Sequence, residues 1–224
     1  LGGIKDPADS ELKEIVAKLG PGELPPFEEM AAYRRDLGRA KAIPACMWVH
    51  EHLEDCADGH GIVIFVHHKA VGEAMQAWFT EQGYKDVEFA SGDDSPEERQ
   101  AKVDHFAKPN GSQIFIGTVD ACGTGMNGLH LRTAECVFVE CEWTPEKLDQ
   151  AEGRIRRMGG VAADQAVAYY LAAADCLDMH IIETINDKRA VIWQALDTDE
   201  GARATVTPHT PSAAMIPADR KSVV

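Results

Sequence analysis

At 224 residues, with 45% hydrophobic and 26% charged side chains, the chain has the make-up of an ordinary globular protein, one domain with or without appendages. That excludes collagen-like, mucin-like and wholly disordered classes, and no apolar run approaches the roughly 18 residues that argue for a membrane span. Lys and Arg number 22 against 37 Asp and Glu, a net charge of −15, so the whole chain carries no basic footprint and any DNA binding must be local or shared.

Leu1-Gly2-Gly3 begins neither a basic nor an apolar leader, and with no initiator Met the chain is expected to be a piece of a longer protein. The cysteines Cys46, Cys56, Cys122, Cys136, Cys141 and Cys176 contain no C-x-x-C pair, and most sit in apolar stretches where a reduced thiol packs as a small hydrophobe. An intracellular setting is expected, cytoplasmic (prokaryotic or phage-encoded) or nuclear, with no membrane partner.

Residues 1–38 are helical in pattern but broken by Gly20-Pro21-Gly22 and Pro25-Pro26, and read as a helical appendage or linker. A helix is expected from Arg39 to about Ala57, with Ile43, Met47, His50, Leu53 and Ala57 on one face and Pro44 near its first turn. Strands at Ile62–Val66, Val87–Ala90, Gln113–Gly117, Cys136–Glu140 and Ala166–Leu171 interleave with helices at Ala70–Gln82, Pro96–Phe106, Pro145–Arg157 and Leu177–Leu196. Unbroken Val, Ile and Phe strands separated by helices predict a three-layer α/β domain with a mainly parallel sheet. Its layers run from about residue 60, within a domain of 39–197. Residues 198–224 lack apolar periodicity and are expected to be a disordered tail.

Two local patterns imitate binding sites. Gly123-Thr124-Gly125-Met126-Asn127-Gly128 matches G-x-G-x-x-G, with Glu140 placed like a ribose-binding acid. Yet only Leu129 to Glu135 separate it from the next strand, too few for a crossover helix. Cys46, His50, His52 and Cys56 resemble a metal-ligand set, but at about 100° per residue the first two and the last two face opposite ways on one helix. No resident metal is expected.

The segment Gln150-Ala151-Glu152-Gly153-Arg154-Ile155-Arg156-Arg157-Met158-Gly159, preceded by Trp143-Thr144-Pro145, carries the chemistry. Two arginines three apart project from one helical face, where they repel unless an anion neutralises them, and their forked donors suit phosphate. A solvated face assisted by Glu146, Asp149 and Glu152 is the competing reading, and charge pattern alone leaves both open.

This Q-A-x-G-R-x-x-R-x-G segment resembles motif VI of superfamily 2 helicases in their Swi/Snf form. Ile62 to Lys69 resembles motif IV, Ser91 to Arg99 the family's G-x-x-x-x-x-x-R turn into a helix, and Thr118 to Leu131 motif V, usually A-G-G-x-G-x-N-L. Ala40 to Pro44 and the helix after it resemble the approach to this lobe in the annealing-helicase branch, so the likeness covers about residues 34–196. Three departures stand out: three extra residues between Asn127 and Leu131, Gly160 in place of the usual Gln, and Asp120 where Arg or Thr is usual.

The resemblance implies the second, C-terminal RecA-like lobe of a DNA-dependent ATPase. It casts Arg157 as arginine finger, Arg154 as a second phosphate contact, Gln150 as a coupling contact, and Gly123, Gly125 and Asp120 as nucleotide neighbours. It gives His67, His68, Lys69, Gly92, Thr118 and Trp143 to a DNA-backbone grip without sequence readout. No G-x-x-x-x-G-K-[ST] and no strand-borne D-E-x-H occurs. ATP with Mg²⁺ would therefore be held largely by a missing N-terminal RecA-like lobe, the isolated chain being inactive. The alternative is a stand-alone or degenerate lobe acting as a DNA- or protein-binding module without ATPase activity.

Overall fold

Ile62–Val66 and Ile114–Thr118 are apolar along their whole length because both of their faces are covered, and each is buried at every residue. The computed structural model describes residues 14–15, 17–18, 23–56, 59–122, 126–161, 166–174, 176–195 and 208–209. In chain order these form α1 (Met30–Glu54), β1 (Ile62–Val66), α2 (Lys69–Glu81), β2 (Glu88–Ala90), α3 (Pro96–Phe106), β3 (Ile114–Thr118) and a four-residue α4 (Val119–Cys122). A 3₁₀ turn (Leu129–Leu131), β4 (Glu135–Phe138), α5 (Pro145–Ile155), β5 (Val167–Leu171), α6 (Leu177–Ala195) and β6 (Pro208–His209) complete them.

The strands pair in parallel in the order β2-β3-β1-β4-β5-β6. In register, Ile62 lies opposite Ile114, and Val63 opposite both Phe115 and Cys136. Ile62, Ile64, Ile114, Ile116 and Val137 point to one side, where Val71, Met75 and Phe79 of α2 and Ala45, Cys46 and Val49 of α1 cover them. Val63, Phe65, Phe115, Phe138 and Tyr170 point to the other, under α3, α5 and α6. This is the three-layer α/β arrangement expected.

Helix α3 shows why the sequence signal was sharp. Pro96 occupies the first turn, the Ser95 hydroxyl accepts from Glu98 N at 3.2 Å, and Glu98 Oε2 accepts from Ser95 N at 2.8 Å, a reciprocal cap.

Helix α1 departs from expectation. It begins at Met30, upstream of Arg39, so Pro44 lies inside it and the Ala40 carbonyl forgoes its i+4 donor. Its buried face is Tyr33, Leu37, Ala40, Lys41, Ala42, Ala45, Cys46 and Val49, whereas Met47 is exposed. Small residues on this face let α1 reach both core clusters. Lys41 sits in that interior, its Nζ donating to Asp178 Oδ2 at 2.6 Å and to Leu171 O at 3.3 Å. Within the segment expected to be a tail, Pro208–His209 pairs with Tyr170–Leu171, and the rest of 198–224 lies outside the described residues.

Candidate nucleotide and nucleic-acid site

Parallel strands bring their carboxyl ends to one edge, and ligands of open α/β sheets gather there. At that edge β1 runs into His67-His68-Lys69, β2 into Ser91-Gly92, β3 into Thr118 and α4, and β4 towards Glu140, Cys141 and Glu142.

Two buried carboxylates organise the edge. Glu140 Oε2 accepts from the backbone N–H groups of both His67 and His68 at 2.9 Å, and Oε1 meets His68 Nδ1 at 2.6 Å. Glu142 is bonded to His67 Nδ1 and lies 3.3 Å from Arg34 Nη2, which also donates to Cys141 O at 2.6 Å. Helix α1 can come this close because residue 38 is glycine: a Cβ there would collide with the Glu140 carboxylate. Burial alone would raise the Glu140 pKa, but the hydrogen bonds from His68 and the Lys41 charge outweigh it and hold the carboxyl below its usual 4.5. Burial likewise opposes His67 and Arg34 at Glu142, and again the partners win.

A depressed folded-state pKa adds stability that is present above the unfolded value and is lost as pH falls through the folded one. Glu140→Gln should therefore cost about 1–3 kcal/mol near neutral pH. The deficit relative to the parent chain should shrink as pH drops below 4.5. Denaturant melts of both chains across that range check it, and a deficit independent of pH would refute it.

The residues expected to grip DNA are thus largely engaged. His67 and His68 are tied inward to Glu142 and Glu140. Lys69 Nζ lies 2.5 Å from Asp93 and 3.3 Å from Glu73. Thr118 is buried. Trp143 packs partly buried against the core with its ring 6.0 Å from His180. Gly92 is exposed with open space above it. Asp120 is ion-paired to Lys147 at 2.6 Å, and that hydrogen bond raises the Lys147 pKa. The carboxylate that would repel phosphate is thereby neutralised.

The two arginines converge, though not for the reason the spacing suggested. Helix α5 stops at Ile155, and Arg156 takes a non-helical cap conformation (φ −88°, ψ 82°), so Arg157 leaves the helix. Arg154 Nη1 nevertheless donates to Met126 O at 3.0 Å, and Arg157 Nη1 to Asn127 Oδ1 at 2.6 Å, so both guanidiniums close on the loop after α4. Burial and the Arg157 charge lower the Arg154 pKa, the signature of two crowded cations. Asp149 and Glu152, candidates for neutralising them, are instead bonded to Arg189 of α6, and Glu152 also to Tyr170. Arg157 has only neutral acceptors, Asn127 Oδ1 and Gly153 O, and no ion pair among the described residues.

Gln150 is exposed on the α5 face that carries Arg154. Gly123 and Gly125 lie outside the described residues. The glycine-rich decoy leads into the 3₁₀ turn and no crossover helix, with Gly128 at φ 129°, a conformation side chains rarely adopt. Sequence reasoning missed Arg34 and Glu142, whose contacts span more than 70 positions and leave no local periodicity. Asn127 entered only as a position of motif V and of the decoy, and Glu140 only as the decoy's acid.

Residues 45–159 match the model of the helicase conserved C-terminal domain. The chain is 28% identical over 131 residues to a SWI/SNF-related matrix-associated actin-dependent regulator of chromatin subfamily A-like protein 1 of Drosophila melanogaster, which covers 58% of this chain and 17% of the relative. It is 26% identical over 140 residues to the human DNA annealing helicase and endonuclease ZRANB3, covering 62% and 12%. The chain thus spans less than a fifth of the length of these relatives. The crystal structure of the C-terminal part of the Fun30 ATPase domain shares the fold at a TM-score of 0.51 and 18% identity, covering 79% of this chain and 52% of that one. No helix among the described residues is long and apolar enough to cross a membrane. With its motifs in order along a RecA-like parallel sheet, and with SWI/SNF-related relatives among those it resembles, the chain belongs to the helicase conserved C-terminal domain family.

Proposed function

We propose that this lobe, joined to a first RecA-like lobe, closes a cleft on ATP and grips one DNA strand by its backbone, in a DNA-dependent translocase. The observation that carries the reading is the convergence of Arg154 and Arg157 on Met126 and Asn127. A second guanidinium beside Arg154, with only neutral acceptors among the described residues, fits an anion, and the charge spread over a transferring γ-phosphoryl group is such an anion. Arg157 acts as the finger, Arg154 holds a second phosphate oxygen, and Gln150 transmits closure across the lobe interface. Asp120, the carboxylate beside this loop, is occupied by Lys147, so Mg²⁺ falls to the first lobe.

Capture of ADP with aluminium fluoride by the two-lobed protein tests this. Arg157→Ala should abolish the trapped transition-state mimic while ADP alone binds as before. Equal trapping by the variant would overturn the assignment.

The DNA side follows from the same electrostatics. With His67, His68 and Lys69 paired to acids and a net charge of −15, the lobe alone should bind DNA weakly. That affinity should collapse between about 50 and 200 mM salt as counterion release requires. Tight, salt-insensitive binding in a fluorescence-anisotropy titration would favour a dedicated binding module instead.

A further inference from the structure

At the opposite, amino-terminal edge of the sheet, the starts of β1 and β4 carry a second cluster. His52 from the end of α1, Cys56 beyond that helix, and His60 just before β1 place one donor atom each within 4.8 Å of one another. Cys56 Sγ is 3.8 Å from His52 Nε2. Glu135, the first residue of β4, completes the group: its Oε2 is 2.6 Å from His52 Nε2 and 3.5 Å from His60 Nε2. His60 Nε2 is buried and makes no hydrogen bond among the described residues, so its lone pair or proton points into the cluster without an aligned partner.

We propose that His52 Nε2, Cys56 Sγ, His60 Nε2 and the Glu135 carboxylate form a structural zinc site. Two imidazoles, a thiolate and a carboxylate suit a borderline-soft, four-coordinate cation. Bonds of about 2.0–2.3 Å place tetrahedral ligand atoms roughly 3.5 Å apart, so the site closes with shifts of about 1 Å. The surroundings restrict the ligands in advance: Trp48 stacks on His52 at 5.2 Å and 7°, and Tyr169 of β5 packs against the same imidazole at 5.3 Å. On binding, the Cys56 thiol and the hydrogen bond between His52 and Glu135 both release their protons to solvent, and the metal takes that bond's place.

The reason for such a site is mechanical. Helix α1 ends at Glu54 and its far end carries Gly38 and Arg34 against Glu140 and Glu142, so a clamp at His52 fixes the helix that orders the opposite edge. The set differs from the one the sequence suggested. Cys46 is buried in the core and His50 Nδ1 bonds the Tyr84 hydroxyl at 2.8 Å, whereas His60 and Glu135 arrive from other elements.

The test uses the untagged 224-residue chain loaded with Zn²⁺, or with Co²⁺ as a spectroscopic probe, and then dialysed. The expected result is one metal per chain, a thiolate-to-cobalt charge-transfer band, and the visible bands of a tetrahedral centre. Cys56→Ser, a near-isosteric change at a half-buried position, should remove the charge-transfer band. His60→Ala should weaken binding by more than the roughly 10–100-fold typical of losing an outer-shell partner. His50→Ala should change nothing. No retained metal, or a cobalt spectrum unaltered by Cys56→Ser, would overturn the site.

Discussion

Arg157→Ala in the complete two-lobed protein is expected to reduce DNA-stimulated ATP turnover by roughly 10³-fold or more, the range for arginine fingers. Its guanidinium is held at the loop after α4 by Asn127 Oδ1 and Gly153 O, acceptors that a phosphate oxygen can displace without breaking an ion pair. A charge that acts on the transferring group matters more in the transition state than in the bound ground state. Affinity for ATP and for DNA should therefore fall far less than turnover. Arg157→Lys should restore little, since an ammonium lacks the planar fork. Arg156→Ala should be nearly silent, because that side chain is exposed at the helix cap. Turnover within a factor of about three of the parent, worth well under 1.36 kcal/mol, would return the arginines to a solvated face.

Lys41→Ala is expected to be the most destabilising single change at a polar residue, at about 3–5 kcal/mol. Lys41 and Asp178 have side chains only 1% and 5% exposed, and the substitution leaves a buried carboxylate facing the vacated space. Burial would lower the Lys41 pKa, but the charge and hydrogen bond of Asp178 outweigh it and the net shift is upward. A raised folded-state pKa means the contribution is complete below the ordinary lysine value of 10.5 and is lost only as pH rises through the folded pKa. Lys41→Met combined with Asp178→Asn should recover most of the loss, since Asn keeps an acceptor for Ala173 N, bonded at 2.9 Å in the parent. Urea melts of the parent, Lys41→Met, Asp178→Asn and the double variant close a cycle that gives the coupling. A single-variant loss under about 1 kcal/mol would show that the pair is not compensating buried charge.

How far the sequence could be read depended on whether the cause was local. Strand β1 and helix α3 were placed to the residue, because an unbroken apolar run and a Ser-Pro-x-Glu cap are each complete within a few positions. Helix α1 begins at Met30, ahead of the expected Arg39, because the break at the prolines 25 and 26 ends before it. Its buried face was misjudged because Lys41 and small alanines pack where Met47 does not. The four-residue α4 and the 3₁₀ turn are too short to show a period. At the site, three-residue spacing singled out Arg154 and Arg157. Their meeting at Met126 and Asn127, and the Glu140 and Glu142 contacts with β1, are tertiary facts with no periodic trace.

Whether this lobe supplies half of an ATP site is decided by DNA-stimulated ATP hydrolysis measured on the 224-residue chain alone, on a matching first RecA-like lobe alone, and on the two joined in one polypeptide. Turnover confined to the joined protein, dependent on DNA and lost with Arg157→Ala, is the predicted result. DNA-dependent hydrolysis that copurifies with the chain alone, or joined lobes no faster than the first lobe by itself, would contradict the account.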